Sequence, residues 1–465
     1  MSYRKDKLIK AMNKAYTGPI CDLKEWETKR IPGMIKEKLK KFNLVKTFDA
    51  ENPINMDDEL ADRFYEAGYE LALEMGLLCT DTNRIINIDK QELDEMLKNK
   101  PTSIKAGSGD DEIIIRCRKP EDEIVPMVES SLALVVDEEL YVPFVEEIIK
   151  HRKLVDILNG PSLVSLHGNT VRSGTPMETL LGRYEVELRR QAMFRASRPG
   201  MANTAVQSAV THYGQLGGGA FIGGPGNFTK CLIPVELKID FAAFHKMAMA
   251  ENCNSKLVIG ATSQIGGYAG PTEGATLANI ATDLLVNTLF ANDITSTTIY
   301  DLNLLGNCGR KAIWANSVKL QAITRNTNIM INCIVNETAG PMTEMFFYEA
   351  AVGLINHCVS GTTTSLGPRS AGGRLSNYIT PMEVKWMAEV FKSAAGMTRE
   401  EANRIIKSLL VKYEDRLKTP PDGQSIYECY DVATMTPSEE YVAFYQVMKD
   451  ELADLGFDID KVYKN

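Results

Sequence analysis

The residues able to do chemistry in this chain are bounded first by arrangements they do not make. Five histidines, His151, His167, His212, His245 and His357, show neither HxxxH nor HxH spacing, and nine cysteines are scattered without a CxxC pair. A zinc site needs such ligands converging on one tetrahedral centre, so zinc-activated thiol transfer and metal-assisted hydrolysis are disfavoured. No GxSxG turn presents a serine nucleophile. The run Gly217-Gly218-Gly219-Ala220-Phe221-Ile222-Gly223-Gly224-Pro225-Gly226 lacks the lysine and hydroxyl of a phosphate loop and does not complete GxGxxG after a strand. It is expected to be a mobile loop hinged by its glycines. His167 follows an apolar run and is a candidate to face a strand-end pocket, although a hydrogen-bonded structural role explains a lone histidine equally well.

These residues must be positioned by the elements around them. Residues 1–124 read as a helix-rich extension. Leu60, Phe64, Ala67, Leu71 and Met75 fall three or four apart and predict a helix over 56–75. Asp89 is placed to cap a polar helix over 89–98, and 112–117 reads as a short strand. Over 125–375, apolar runs at 124–128, 163–167, 198–201, 256–259, 297–300, 329–335 and 358–361 alternate with helices over 176–196, 272–291, 310–324 and 341–356. Such alternation implies parallel strands joined by right-handed crossovers. Seven or eight units fit an α/β fold of the (β/α)8 TIM barrel kind better than a doubly wound open sheet, because no Rossmann-like boundary appears. Residues 376–465 read as C-terminal helices completing the barrel domain. Thr380-Pro381-Met382-Glu383, Thr398-Arg399-Glu400-Glu401 and Thr436-Pro437-Ser438-Glu439 read as capping boxes at their starts.

Composition sets outer limits. The 465 residues are 44% hydrophobic and 24% charged, ordinary for a globular protein with a large core. A net charge of −9 with interspersed signs argues against a nucleic-acid surface. Dispersed cysteines fit reduced thiols. Residues 1–16 are basic without an apolar core, which reads against a secretory signal. No run approaches eighteen apolar residues, so no membrane span is expected. The expected compartment is the cytoplasm.

Several separated segments then carry a resemblance. Gly76-Leu77-Leu78-Cys79-Thr80-Asp81-Thr82-Asn83-Arg84, Arg198-Pro199-Gly200-Met201, Glu236-Leu237-Lys238-Ile239-Asp240 and Gly266-Gly267-Tyr268-Ala269-Gly270 come first. Ala339-Gly340-Pro341-Met342-Thr343-Glu344-Met345 and Glu428-Cys429-Tyr430-Asp431-Val432, leading to Thr436-Pro437-Ser438-Glu439-Glu440-Tyr441, follow in order. From about residue 25 onward this ordered set resembles the monomethylamine:corrinoid-protein methyltransferases, barrel enzymes that demethylate methylamines. The resemblance implies that the methyl group passes to a Co(I) corrinoid carried by a partner corrinoid protein, with no cofactor tightly bound to the barrel itself. It also implies a symmetric homo-oligomer, with a hexamer as the expected size. The family carries pyrrolysine three residues after the Arg-Pro-Gly-Met segment, and that position here is Thr204. The glutamate, glutamine and tyrosine that the family sets around the pyrrolysine ring correspond to Gly260, Ile334 and Asn336. Four changes together imply a pocket remade for another donor without pyrrolysine.

In such a reaction cobalt is the nucleophile, and the barrel supplies position, water exclusion and leaving-group activation. A quaternary ammonium departs as a neutral amine with no proton donor, so a pocket without pyrrolysine suits a small methylated cation. Aromatic faces and carboxylates hold such cations. Candidates at the carboxyl ends of the proposed strands are Tyr300 with Asp301, Asn336 with Glu337, and Tyr268 with Glu273, the last matching an acidic position of the family. Thr204, Asn336 and Glu337 are the expected catalytic set. His167, Gly260, Tyr268, Glu273, Tyr300, Asp301 and Ile334 are the expected substrate-binding set. Simpler roles compete: Asp301 as a loop cap, Tyr268 as packing on helices, Glu337 as a solvated loop residue. Two other functions stay open. One is monomethylamine transfer activated through Glu337 or Glu273; the other is a non-catalytic relative that binds the corrinoid protein. A cavity plugged by Ile334 would favour the latter.

Overall fold

Short β-rich runs separated by amphipathic or wholly apolar helices leave one economical arrangement, a closed parallel sheet inside a helical ring. In the computed structural model, which describes residues 2–132, 134–204, 211–304 and 306–464, the strands are β1 (Met127–Ser130), β2 (Ile157–Leu158), β3 (Ala202–Asn203), β4 (Phe228–Leu232), β5 (Lys256–Ile265), β6 (Ile294–Asp301), β7 (Ile331–Ile334) and β8 (Thr364–Leu366). All pair in parallel and in chain order, with β8 returning to β1. A parallel bridge between Thr204 and Phe228 joins β3 to β4 and closes the circle.

One helix follows each strand: α1 (Glu138–Ile149), α2 (Pro176–Arg195), α3 (His212–Ile222), α4 (Phe241–Asn252), α5 (Thr272–Phe290), α6 (Arg310–Asn326), α7 (Glu344–Val359) and α8 (Pro381–Ser393). The eighth comes from the segment beyond residue 375. Every residue of α5, and every residue of α7 after Glu344, is buried, because the extensions form a second shell. Helix Asp58–Met75 packs on α5 and α6, and helix Arg399–Leu410 packs on α7. The capping boxes expected at Thr380 and Thr398 are formed, as is one at Asp89.

Several expectations are corrected. The apolar run at 163–167 is one arm of a surface hairpin, Ser165–Leu166 against Asn169–Thr170, and the strand lies earlier at β2. Residues 358–361 include the buried end of α7, with β8 beginning three residues later. β4 had no counterpart in the pattern. Thr436–Pro437 pairs with Tyr430–Asp431, and Ser438 caps the helix Glu439–Asp454. The glycine run is no loop in its first half, where Gly217–Ile222 completes α3. Those glycines let α3 and α2 touch through their backbones. A Cβ on Gly217 would lie 2.3 Å from the Thr179 carbonyl oxygen, and one on Gly182 would lie 2.1 Å from that of Gly214. Close packing outweighs the poor helix propensity of glycine.

The amino-terminal end of the barrel is stoppered. The hairpin Ser103–Ala106 with Ile113–Arg116 sets Ala106 and Ile115 against Ile157, Ala202, Phe228, Val258, Ile294 and Met330. No helix among the described residues is long and apolar enough to cross a membrane.

Candidate active site

Alternation along β4 decides what enters the lumen. Thr229 and Cys231 face the helices, bonding Ser255 at 2.7 Å and the Ala243 carbonyl at 3.4 Å. Phe228, Lys230 and Leu232 therefore face inward. Lys230 Nζ stands 2.8 Å from Glu129 Oε2 of β1, and both side chains are buried. The other carboxylate oxygen of Glu129 accepts hydrogen bonds from Asn159 Nδ2 at 2.8 Å and from the Thr204 hydroxyl at 2.9 Å. Asn332 completes the layer. Its amide donates to Glu129 Oε2 at 3.3 Å and Thr364 at 2.7 Å, and its oxygen accepts from Ser296 at 2.9 Å. Burial pulls the Lys230 pKa below the ordinary lysine value, against the opposing pull of Glu129. The result is a polar floor, internally satisfied, above the apolar stopper.

Solvent reaches the lumen above this floor. Going toward the carboxyl ends, exposure returns only at inward-facing positions: Leu232 at 48%, and partly at Thr262, Gln264, Tyr300 and Ile334. Their outward neighbours Cys231, Ser263, Ile265, Ile299 and Cys333 stay buried. Ile334 thus lines an open mouth and does not seal it. Loops stitch the wall between β6 and β8. Asn307 accepts from the Asn336 backbone N–H at 2.8 Å and donates to the Ile334 carbonyl at 2.7 Å. Glu337 is fully buried in this wall, where Oε2 accepts from the Arg369 backbone N–H at 2.8 Å. Its other oxygen meets no partner among the described residues. Burial raises Glu337 to about 8, with the nearby acids Glu349 and Glu383 adding to the effect. Burial thus favours its neutral, protonated form. Tyr300 is likewise raised by burial to about 12, with the Arg369 charge acting the other way.

The expected residues divide by location. Thr204 is in the floor, and Tyr300, Ile334, Asn336 and Glu337 belong to the mouth and its wall. Gly260 underlies Leu232, whose Cδ2 would meet an added Cβ at 2.1 Å. The other four stand apart. Asp301 accepts from the Asn303 backbone and side-chain amides at 2.9 and 3.1 Å, capping its own loop. Glu273 accepts from the Phe48 N–H at 3.2 Å and tethers the amino-terminal extension. Tyr268 lies under Lys238, 5.1 Å from its ring centre, and is 43% exposed. His167 sits at the tip of the surface hairpin, 3.6 Å from Glu138 and edge-on to Tyr184. It borders an open groove of about 610 Å³ shared with Asp137, Glu138 and Glu139.

Glu129, Lys230, Asn332 and Arg369 escaped the sequence reading. The available signal was a charge in the middle of a short β-like run, Lys230 in Phe-Thr-Lys-Cys-Leu and Glu129 in Met-Val-Glu-Ser. A buried charge in such a run needs a partner of opposite sign. Among the described residues, no group of three or more histidine, cysteine or carboxylate side chains converges as a metal site.

A family model described as "Monomethylamine methyltransferase MtmB" matches residues 7–457. Among curated proteins, monomethylamine methyltransferase MtmB of Methanosarcina mazei is 29% identical over 447 residues, covering 96% of each chain. MtmB3 of Methanosarcina barkeri is 29% identical over 463 residues with the same coverage. Among solved structures, the crystal structure of the Methanosarcina barkeri monomethylamine methyltransferase superposes with a TM-score of 0.91 at 26% identity. It spans 97% of this chain and 98% of that one. A hydroxylamine complex of MtmB matches equally well.

Proposed function

Because this chain belongs to the monomethylamine methyltransferase MtmB family, we propose that it moves a methyl group from a small N-methylated cation to the Co(I) corrinoid of a partner protein, without pyrrolysine. The corrinoid is the acceptor substrate. The C–N bond breaks with its electron pair on nitrogen, which departs as a neutral amine, and the methyl carbon bonds to cobalt.

One observation carries this reading. The Thr204 hydroxyl is committed to Glu129, and Glu129 to Lys230. The floor therefore offers hydrogen bonds already in use and no electrophile that could capture an amine. A donor held above it must arrive with its leaving group activated, as a quaternary nitrogen does. The open mouth supports access for both donor and acceptor, and the lining of Tyr300, Gln264 and Ile334 suits a compact methylated group. The chain's part is to orient the methyl group toward the mouth and to exclude water from it.

A second reading, monomethylammonium transfer, is favoured by the protonated Glu337 with its unpartnered oxygen, which could keep a proton on the departing nitrogen. The test is incubation of the protein with a reduced corrinoid protein and a panel of methylated amines, following loss of the Co(I) absorbance and release of the demethylated amine. Turnover with quaternary donors and none with tertiary amines or monomethylamine supports the first reading. Turnover with monomethylamine alone replaces it with the second, and no turnover with any donor rejects both.

A further inference from the structure

Arg369 follows directly on the carboxyl end of β8, and its backbone is fixed. Its N–H is bound by Glu337 Oε2 at 2.8 Å, and the next residues bond across to the β7–α7 loop, Ala371 N–H to the Ala339 carbonyl and Gly372 N–H to that of Glu337. The guanidinium is partly buried and lies over Gly373. A Cβ there would come within 2.9 Å of Nε, so glycine is what lets the group settle against the loop. None of its N–H groups meets a protein acceptor among the described residues. The hydroxyl of Tyr300, an inward-facing residue on which the Arg369 charge acts, has no described partner either. Beside Arg369 the buried Ser370 hydroxyl is also unpartnered, as is that of Ser131, two residues beyond Glu129 on the opposite side of β8.

A charge count over this lining sharpens the point. Lys230 and Glu129 cancel each other in the floor. Burial favours the neutral form of Glu337, and Asp301 bonds its own loop. Arg369 is left as a cation that no described carboxylate pairs. A bare methylated cation would meet that unpaired positive charge. Guanidinium and phenol together are the donor set that grips an oxyanion.

We propose that the methyl donor is a zwitterion, a methylated nitrogen whose short chain also bears a carboxylate or similar oxyanion, and that Arg369 with Tyr300 binds that anion. The anion is anchored on the β6–β8 wall, which leaves the methylated nitrogen to be directed along the lumen axis. The inference rests on the mouth being the donor site, and it narrows the donor from cations in general to methylated amino acids and their like.

Calorimetric titration of the 465-residue chain tests it without the partner, so its outcome is separate from that of the turnover assay. The probes are trimethylglycine, choline, tetramethylammonium and acetate. Trimethylglycine is expected to bind at least tenfold more tightly than choline or tetramethylammonium. Arg369→Gln should erase that difference and abolish acetate binding, and Arg369→Lys should restore part of it. Tyr300→Phe, a milder change, should weaken the zwitterion several-fold and leave tetramethylammonium unaffected. Equal binding of trimethylglycine and choline to the unaltered protein, or a preference surviving in a folded Arg369→Gln protein, overturns the proposal. If the preference is present and no donor is turned over, the anion site stands and the methyl-transfer reading falls.

Discussion

Lys230 on β4 reaches across the lumen to Glu129 on β1, nitrogen to oxygen at 2.8 Å, and the two form a buried unit of zero net charge. Removing either partner strands the other charge in a dry layer, at a cost of about 3–5 kcal/mol. Removing both strands no charge and leaves a packing defect and weakened hydrogen bonds from Asn159, Thr204 and Asn332. Urea unfolding of Lys230→Met, Glu129→Gln and the double variant is expected to show two large losses and a double variant well short of their sum. Simple additivity would mean that the pair is not coupled.

Thr204 spends its hydroxyl on the same glutamate. Thr204→Val should lower stability by about 1.5–3 kcal/mol, the range for a hydrogen bond to a charged group, and Thr204→Ser should restore most of it. If Thr204→Val unfolds at the same urea concentration as the parent, the 2.9 Å bond contributes nothing in solution.

Four buried acids make stability depend on pH. Glu337 and Glu383 are raised by burial to about 8, and Glu349 and Asp283 to about 7. Between their ordinary values near 4 and these raised ones, the folded chain holds protons that the unfolded chain releases. Their contribution is therefore full below about pH 4 and is lost as pH rises through 7 and 8. His357, lowered by burial to about 3, acts in the opposite direction, but only below its ordinary 6.5. The melting temperature is expected to fall steadily from pH 6.5 to 8.5, with a shallower slope in Glu383→Gln. A flat or rising profile would contradict this.

Glu273 and Asp301 were expected to touch substrate, and the structure gives each a structural partner. Glu273→Gln weakens the tether to Phe48, and Asp301→Asn weakens the loop turn at Asn303. Each should lower the melting temperature by a few degrees and leave the KM for the donor unchanged. A several-fold rise in KM with unaltered stability would return either residue to the site.

Gly260→Ala should act on the site instead. The new methyl group meets only the flexible end of Leu232, which is free to swing toward solvent. Little stability is lost, and the narrowed mouth should raise KM for bulky donors more than for small ones. A large drop in stability would mean that Leu232 cannot move.

Helices were legible because their apolar positions recur on one face, as from Leu60 to Met75, or run unbroken where a second shell covers them. Strands were harder to read. β2 is two residues long, and β8 reads Thr-Ser-Leu, with its lumen-facing threonine chosen for Asn332 and not for apolar contact. β4 was hidden by the lysine at its centre. That same residue is half of the floor, so the feature that disguised the strand also marked the site. Its partner Glu129 is remote in sequence, and no spacing rule joins them. Arg369 was equally silent, because an arginine in a loop becomes informative only when its neighbours are known to leave it unpaired.

The apolar hairpin wedged into the amino-terminal end of the barrel has a kinetic meaning. Among the described residues the lumen has a single doorway, so whatever enters must also leave there. A protein docked on that doorway blocks it. For the methyl transfer proposed above, this puts the donor aboard before the acceptor protein arrives and holds the demethylated amine until that protein departs. The proposed reaction therefore carries compulsory-order kinetics, with release of the amine paced by undocking.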